Sequence, residues 1–82
     1  MPLTVFDIKG IPATQRERIG AAVEAGGNHL RDSYEAWITS DPFGRGVRVA
    51  ITGPLGFERR VEFALDEDSF EITEQVRAAL DE

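Results

Sequence analysis

Eighty-two residues, 41% of them hydrophobic, suffice for one domain (1–82) with one modest core, since a chain of this size buries only about 60–65% of the surface its unfolded form exposes. The absence of cysteine excludes disulfides, thiolate catalysis and zinc-ribbon sites, and the single histidine, His29, leaves little for imidazole-based metal sites. The net charge of −6 has a location: residues 1–65 carry eight acidic and eight basic side chains, whereas residues 66–82 carry seven acidic ones against Arg77 alone.

In chain order, Leu3-Thr4-Val5-Phe6-Asp7-Ile8 is rich in β-branched and aromatic residues and stops at Gly10. It reads as a strand with Phe6 and Ile8 on one face and Leu3 and Val5 on the other, covered in part on both sides. Thr14-Gln15-Arg16-Glu17 fits the capping box, and Ile19, Ala22 and Val23 recur at helical spacing, so a helix is expected over 14–25. Gly26-Gly27-Asn28 offers residues that tolerate positive φ at its C-terminus.

Three strands follow. In the first, Leu30, Tyr34, Ala36 and Ile38 share a face, with Arg31, Ser33, Glu35, Trp37 and Thr39 opposite. The second is Val47 to Thr52, with Val47, Val49 and Ile51 apolar. In the third, Phe57, Val61, Phe63 and Leu65 share a face interrupted by Arg59, while Glu58, Arg60 and Glu62 face away. This alternation belongs to a sheet with one packed and one wet face. Asp41-Pro42-Phe43-Gly44-Arg45-Gly46 and Gly53-Pro54-Leu55-Gly56 carry turn chemistry, so the three strands form an antiparallel meander. Phe43 and Leu55 sit at turn tips and are expected to fold back onto the domain. Asp68 or Ser69 starts a last helix over 69–80, with Asp68 and Glu71 as a capping-box-like pair and Ile72, Val76, Ala79 and Leu80 as the apolar stripe. The expected fold is therefore an α+β two-layer sandwich of order β-α-β-β-β-α, its sheet mainly antiparallel and both helices on one face.

From residue 14 to residue 80 the order αβββα resembles that of double-stranded RNA-binding domains, in topology only. That resemblance implies phosphate contacts from lysines at the start of the last helix. Here the position reads Asp66-Glu67-Asp68, of the wrong sign for phosphate, so RNA binding through that surface is not expected.

Asp66, Glu67, Asp68, Glu71 and Glu74 complement a helix N-terminus, or else present an anionic surface to a basic or nucleic-acid-binding protein, imitating a row of phosphates. Calcium or magnesium on Asp66, Asp68 and Glu71 is disfavoured, because the EF-hand spacing and its glycine are missing. Strand parity directs Trp37 to the wet face, among Arg31, Glu35, Arg48, Arg60 and Glu62. Trp and Arg are the residue types that most often anchor interfaces; the plainer reading is a bulge that turns Trp37 inward, or a Trp lying over arginine stems amid cross-strand ion pairs. Gly44-Arg45-Gly46 is a weak candidate anion cradle.

No catalytic, cofactor or metal site is expected. Ser33, Ser40 and Ser69 lie in no nucleophile motif, and His29 has no cysteine partner. Met1-Pro2-Leu3-Thr4 lacks the features of a signal peptide, and no apolar run approaches the ~20 residues of a membrane span, so a cytoplasmic location without membrane contact is expected. Eight Arg against one Lys, with many Ala and Gly, is the usage of a GC-rich bacterial or bacteriophage genome. The expected function is a non-enzymatic protein-interaction module or small inhibitor, acting through Asp66, Glu67, Asp68, Glu71 and Glu74 or through the face bearing Trp37, Arg48 and Arg60. The alternatives are a homo-oligomeric assembly subunit, down to a homodimer, and a weak nucleic-acid binder using Arg31, Arg48 and Arg60, with direct nucleic-acid contact the least favoured.

Overall fold

A computed structural model describes residues 2–41 and 46–81. Four strands and two helices follow in the expected order: β1 (Leu3–Lys9), α1 (Ala13–Gly26), β2 (Tyr34–Ser40), β3 (Gly46–Thr52), β4 (Glu58–Ala64) and α2 (Ser69–Leu80). The strands form one sheet in the spatial order β1-β2-β3-β4. β2, β3 and β4 are the antiparallel meander that the short turns imply, and β1 joins β2 in parallel after the α1 crossover. The turn residues Phe43, Gly44 and Arg45 lie outside the described residues.

Both helices pack on one face of the sheet. Ile19 and Val23 of α1 and Ile72 and Val76 of α2 meet Ala36 and Ile38 of β2, Val47, Val49 and Ile51 of β3, and Val61 and Phe63 of β4 in a single buried cluster. Among the described residues no polar or charged side chain is buried.

The inner layer is closed near the β2 start by Tyr34 packed edge-on to Phe57, ring centroids 5.1 Å apart. The Arg59 guanidinium lies 4.8 Å over the Phe57 ring, which explains a cation in the apolar row of β4.

The first strand departs from simple alternation. Val5 pairs with Ala36 and Asp7 with Trp37, leaving Phe6 as the extra residue of a β-bulge. Unbroken parity from Leu3 and Val5 would turn Asp7 into the core and Ile8 out to water. The bulge reverses both, so Leu3, Val5 and Ile8 pack inward while Phe6 stays on the wet face. The expected division of Phe6 and Ile8 from Leu3 and Val5 is thereby corrected, and only the helix side of β1 is covered. β1 is also a sheet edge; the Glu24 carboxylate of α1 reaches round to accept from the Val5 N–H at 3.2 Å, which caps one edge donor.

Helix ends differ in mechanism from the expected ones. α1 starts after Pro12, whose carbonyl accepts from the Gln15 and Arg16 amides, and no side chain caps it; Thr14 is already inside the first turn. At the other end Gly27 has φ of −105°, so positive φ is not what the glycines supply. They supply closeness. A Cβ on Gly26 would stand 2.6 Å from Cγ1 of Val76, and one on Gly27 would stand 2.5 Å from Cβ of Leu3. α2 starts as expected at Asp68, whose carboxylate accepts from the Phe70 amide at 3.0 Å. The Asp68 amide turns to Glu67, not to Glu71.

Leu55 does not fold back. It occupies the left-handed region (φ 58°) at the β3–β4 tip and its side chain is fully exposed.

Candidate interaction surface on the outer sheet face

Trp37 sits at the middle of β2, opposite Ala50 of β3, and β2 runs through it without irregularity, so the indole points away from the helices. It retains 36% of its accessible surface and Phe6 retains 60%. Their rings are stacked, centroids 5.8 Å apart and planes within 17°. Phe6 lies on the outer side of β1 next to Val5, which pairs with Ala36, and so stands beside Trp37; the bulge keeps it there while returning Asp7 to the outer face and Ile8 to the core.

The register defines the rest of the face as three rows. Lys9, Thr39, Arg48 and Glu62 lie across one row; Asp7, Trp37, Ala50 and Arg60 across the next; Thr4, Glu35, Thr52 and Glu58 across the third. Ala50, the smallest side chain in the middle row, leaves a shallow depression of ≈ 440 Å³ bordered by Trp37, Arg48, Arg60 and Glu62. Charges around it are internally matched: Arg48 to Glu62 at 3.5 Å, Arg60 to Glu58 at 3.7 Å, and Lys9 to Asp7 at 3.5 Å. All of these partners are largely exposed, so each pair is worth little by itself. The face is an aromatic centre inside a nearly neutral charged frame.

The acidic segment is put to structural use. Asp68 caps α2, Glu67 holds the Asp68 amide, and Glu74 lies 3.8 Å from Arg77 one turn on. Asp66 and Glu71 are exposed, as is Phe70 at the head of α2. Arg18 of α1 gathers the backbone of this turn, donating to the Leu65 carbonyl at 3.0 Å and the Glu67 carbonyl at 2.7 Å. The segment lies at the β4–α2 turn and along α2, on the opposite layer from Trp37, and the two candidate regions are not brought together.

β2 begins at Tyr34 and not at Leu30 as the alternation suggests, so the expected place of Arg31 on the wet face is corrected: it stands in the connection before β2, outside the three rows of the face. His29 pairs with Asp81 at 3.0 Å, joining the ends of the two helices. Among the described residues no group of three or more His, Asp or Glu side chains is placed to hold a metal ion, and no helix is long and apolar enough to cross a membrane.

Parity counting over single strands groups Phe6 with Ile8 and sets Ala50 outward, but it places neither of them beside Trp37. The signal for Phe6 was present as an acid, Asp7, between two apolar residues of one strand. The signal for Ala50 needs the β2–β3 register. Compared with known proteins, the chain matches no family model, no curated protein and no solved structure.

Proposed function

We propose that this chain is a non-enzymatic protein-interaction module whose binding surface is the outer sheet face centred on Phe6 and Trp37. The observation that carries the reading is the stacked aromatic pair left exposed beside the Ala50 depression, because aromatic anchors next to a small pocket are the form that interface hot spots take. The surrounding ion pairs act as a polar rim, giving orientation more than affinity. The acidic segment is the lesser candidate: three of its five carboxylates, Glu67, Asp68 and Glu74, already serve α2.

The test compares two double variants in affinity capture from the native host, with a differently tagged copy of the chain included. Phe6→Ala with Trp37→Ala removes the aromatic pair, and Asp66→Asn with Glu71→Gln removes exposed acid. Binding lost only in the aromatic variant is the expected result. Undiminished binding by that variant, with loss in the acid variant, transfers the site to α2.

A further inference from the structure

We propose that the partner seated on this face is a second copy of the chain, packed sheet to sheet about a two-fold axis that runs along the strands between β2 and β3. The inference rests on the reading of the outer face as an interaction surface.

A half-turn about that axis lays β2 over the second copy's β3 and β1 over its β4, while each row stays over the same row. In the middle row Trp37 then stands over Ala50 of the other copy, the largest side chain of the face against the smallest. The depression at Ala50 receives the indole. Asp7 stands over Arg60, and in the next row Lys9 stands over Glu62, opposite charges in both places and each pairing made twice. The two indoles become neighbours across the axis, extending each Phe6–Trp37 stack into one row of four rings. Packed sheets lie about 10 Å apart with their strands within ~30° of each other. The central contacts, next to the axis, tolerate such a rotation, and the long side chains at the corners follow it.

Whole-chain charge favours the same geometry. A copy of net charge −6 repels its like, yet the excess lies at and beyond residue 66, in the layer behind the sheet. Face-to-face packing turns both α2 helices outward, as far apart as the pair permits. Four strands of seven residues, about 4.8 Å apart and rising about 3.3 Å per residue, give a face of roughly 20 by 20 Å. Two such faces, with their side-chain relief, reach only the lower end of specific interfaces, about 1,200 Å² in total. The dimer is accordingly reversible, with dissociation in the micromolar range.

Sedimentation equilibrium from about 1 µM to about 1 mM chain spans that range. A monomer–dimer equilibrium is expected, weakened at least about tenfold by Trp37→Ala. Asp7→Arg and Arg60→Asp each set like charges against each other twice and abolish association. Within one chain the two positions lie on strands β1 and β4, with two strands between them, so neither variant repairs the other internally. Mixing the two variant chains restores both opposed pairs, and a heterodimer of near native affinity forms. Circular dichroism verifies that each variant is folded. A strict monomer at the highest concentration overturns the second-copy proposal and leaves the interaction-surface reading to its capture test. A dimer insensitive to Trp37 and to the charge swap overturns it as well, because association then uses another surface.

Discussion

Arg18 projects from α1 to the turn between β4 and α2, where its guanidinium meets the Leu65 and Glu67 carbonyls and the Ser69 hydroxyl while Gln15 holds Nε. Three elements are joined by one side chain. Arg18→Ala leaves part-buried carbonyls without their donors and is expected to cost about 1–3 kcal/mol in urea unfolding. Arg18→Lys recovers only part of that, because a single ammonium replaces a fork of donors. Hydrogen exchange of the amides at 67–70 should quicken in both variants; unchanged protection there would show that the turn holds without the clamp. The glycines of α1 make a second contrast. A Cβ at Gly20 meets Cδ1 of Ile8 at 3.5 Å, an ordinary contact, whereas one at Gly26 would press into Val76 at 2.6 Å and the Thr73 carbonyl at 3.0 Å. Gly20→Ala should therefore stabilise by roughly 0.5–1 kcal/mol through helix propensity, and Gly26→Ala destabilise by roughly 1–3 kcal/mol through overpacking. Paired thermal melts read the sign of each.

Among elements, the bulge in β1 settles most about the candidate face. Deleting Phe6 leaves Leu3-Thr4-Val5-Asp7-Ile8-Lys9, which pairs along β2 in regular alternation with Asp7 still outward and Ile8 still inward. The deletion is expected to preserve a cooperative fold, with a stability change of about 1 kcal/mol, while removing the aromatic stack. Deleting Ala50 is expected to unfold the chain, because β3 is paired on both sides and one missing residue sends either both Val47 and Val49 or Ile51 to the wet face. Circular dichroism melts of the two deletions decide the matter, and a molten Phe6 deletion would mean that the bulge is indispensable. The same strand marks where sequence reading stopped. β2, β3, β4 and α2 were legible because period-2 alternation, turn residues and an Asp cap are local, and Trp37 could be placed outward by parity alone. Parity counting assumes an unbroken strand, so it misassigned Ile8. Phe6 became a neighbour of Trp37 only through the parallel β1–β2 pairing, which a strand sequence does not encode by itself. The Arg18 clamp spans 47 to 51 residues, beyond any local pattern.

At the scale of the whole molecule, the sandwich separates two chemistries by its own thickness. The nearly neutral aromatic face is on one side, and the helix that carries the charge excess is on the other. With extents of 32 × 22 × 20 Å, every charge lies within range of the others at about 0.01 M ionic strength, where the screening length is about 30 Å, but only near neighbours interact at about 0.15 M, where it is about 8 Å. The ion pairs in the rows of the outer face are exposed and individually weak, whereas residues 66–82 hold seven acids against Arg77, with the Arg18 guanidinium added at their first turn, and so keep a large negative excess. Self-repulsion is the larger effect, and salt relieves it. The melting temperature at micromolar chain should therefore rise by a few degrees between those ionic strengths, a shift corresponding to about 0.5–1 kcal/mol in a domain of this size. Asp66→Asn with Glu71→Gln, which spares the Asp68 cap, should raise the low-salt melting temperature and flatten the salt response. A melting temperature that falls with salt would give the surface ion pairs the larger share and make the acidic helix a stabilised element of the fold.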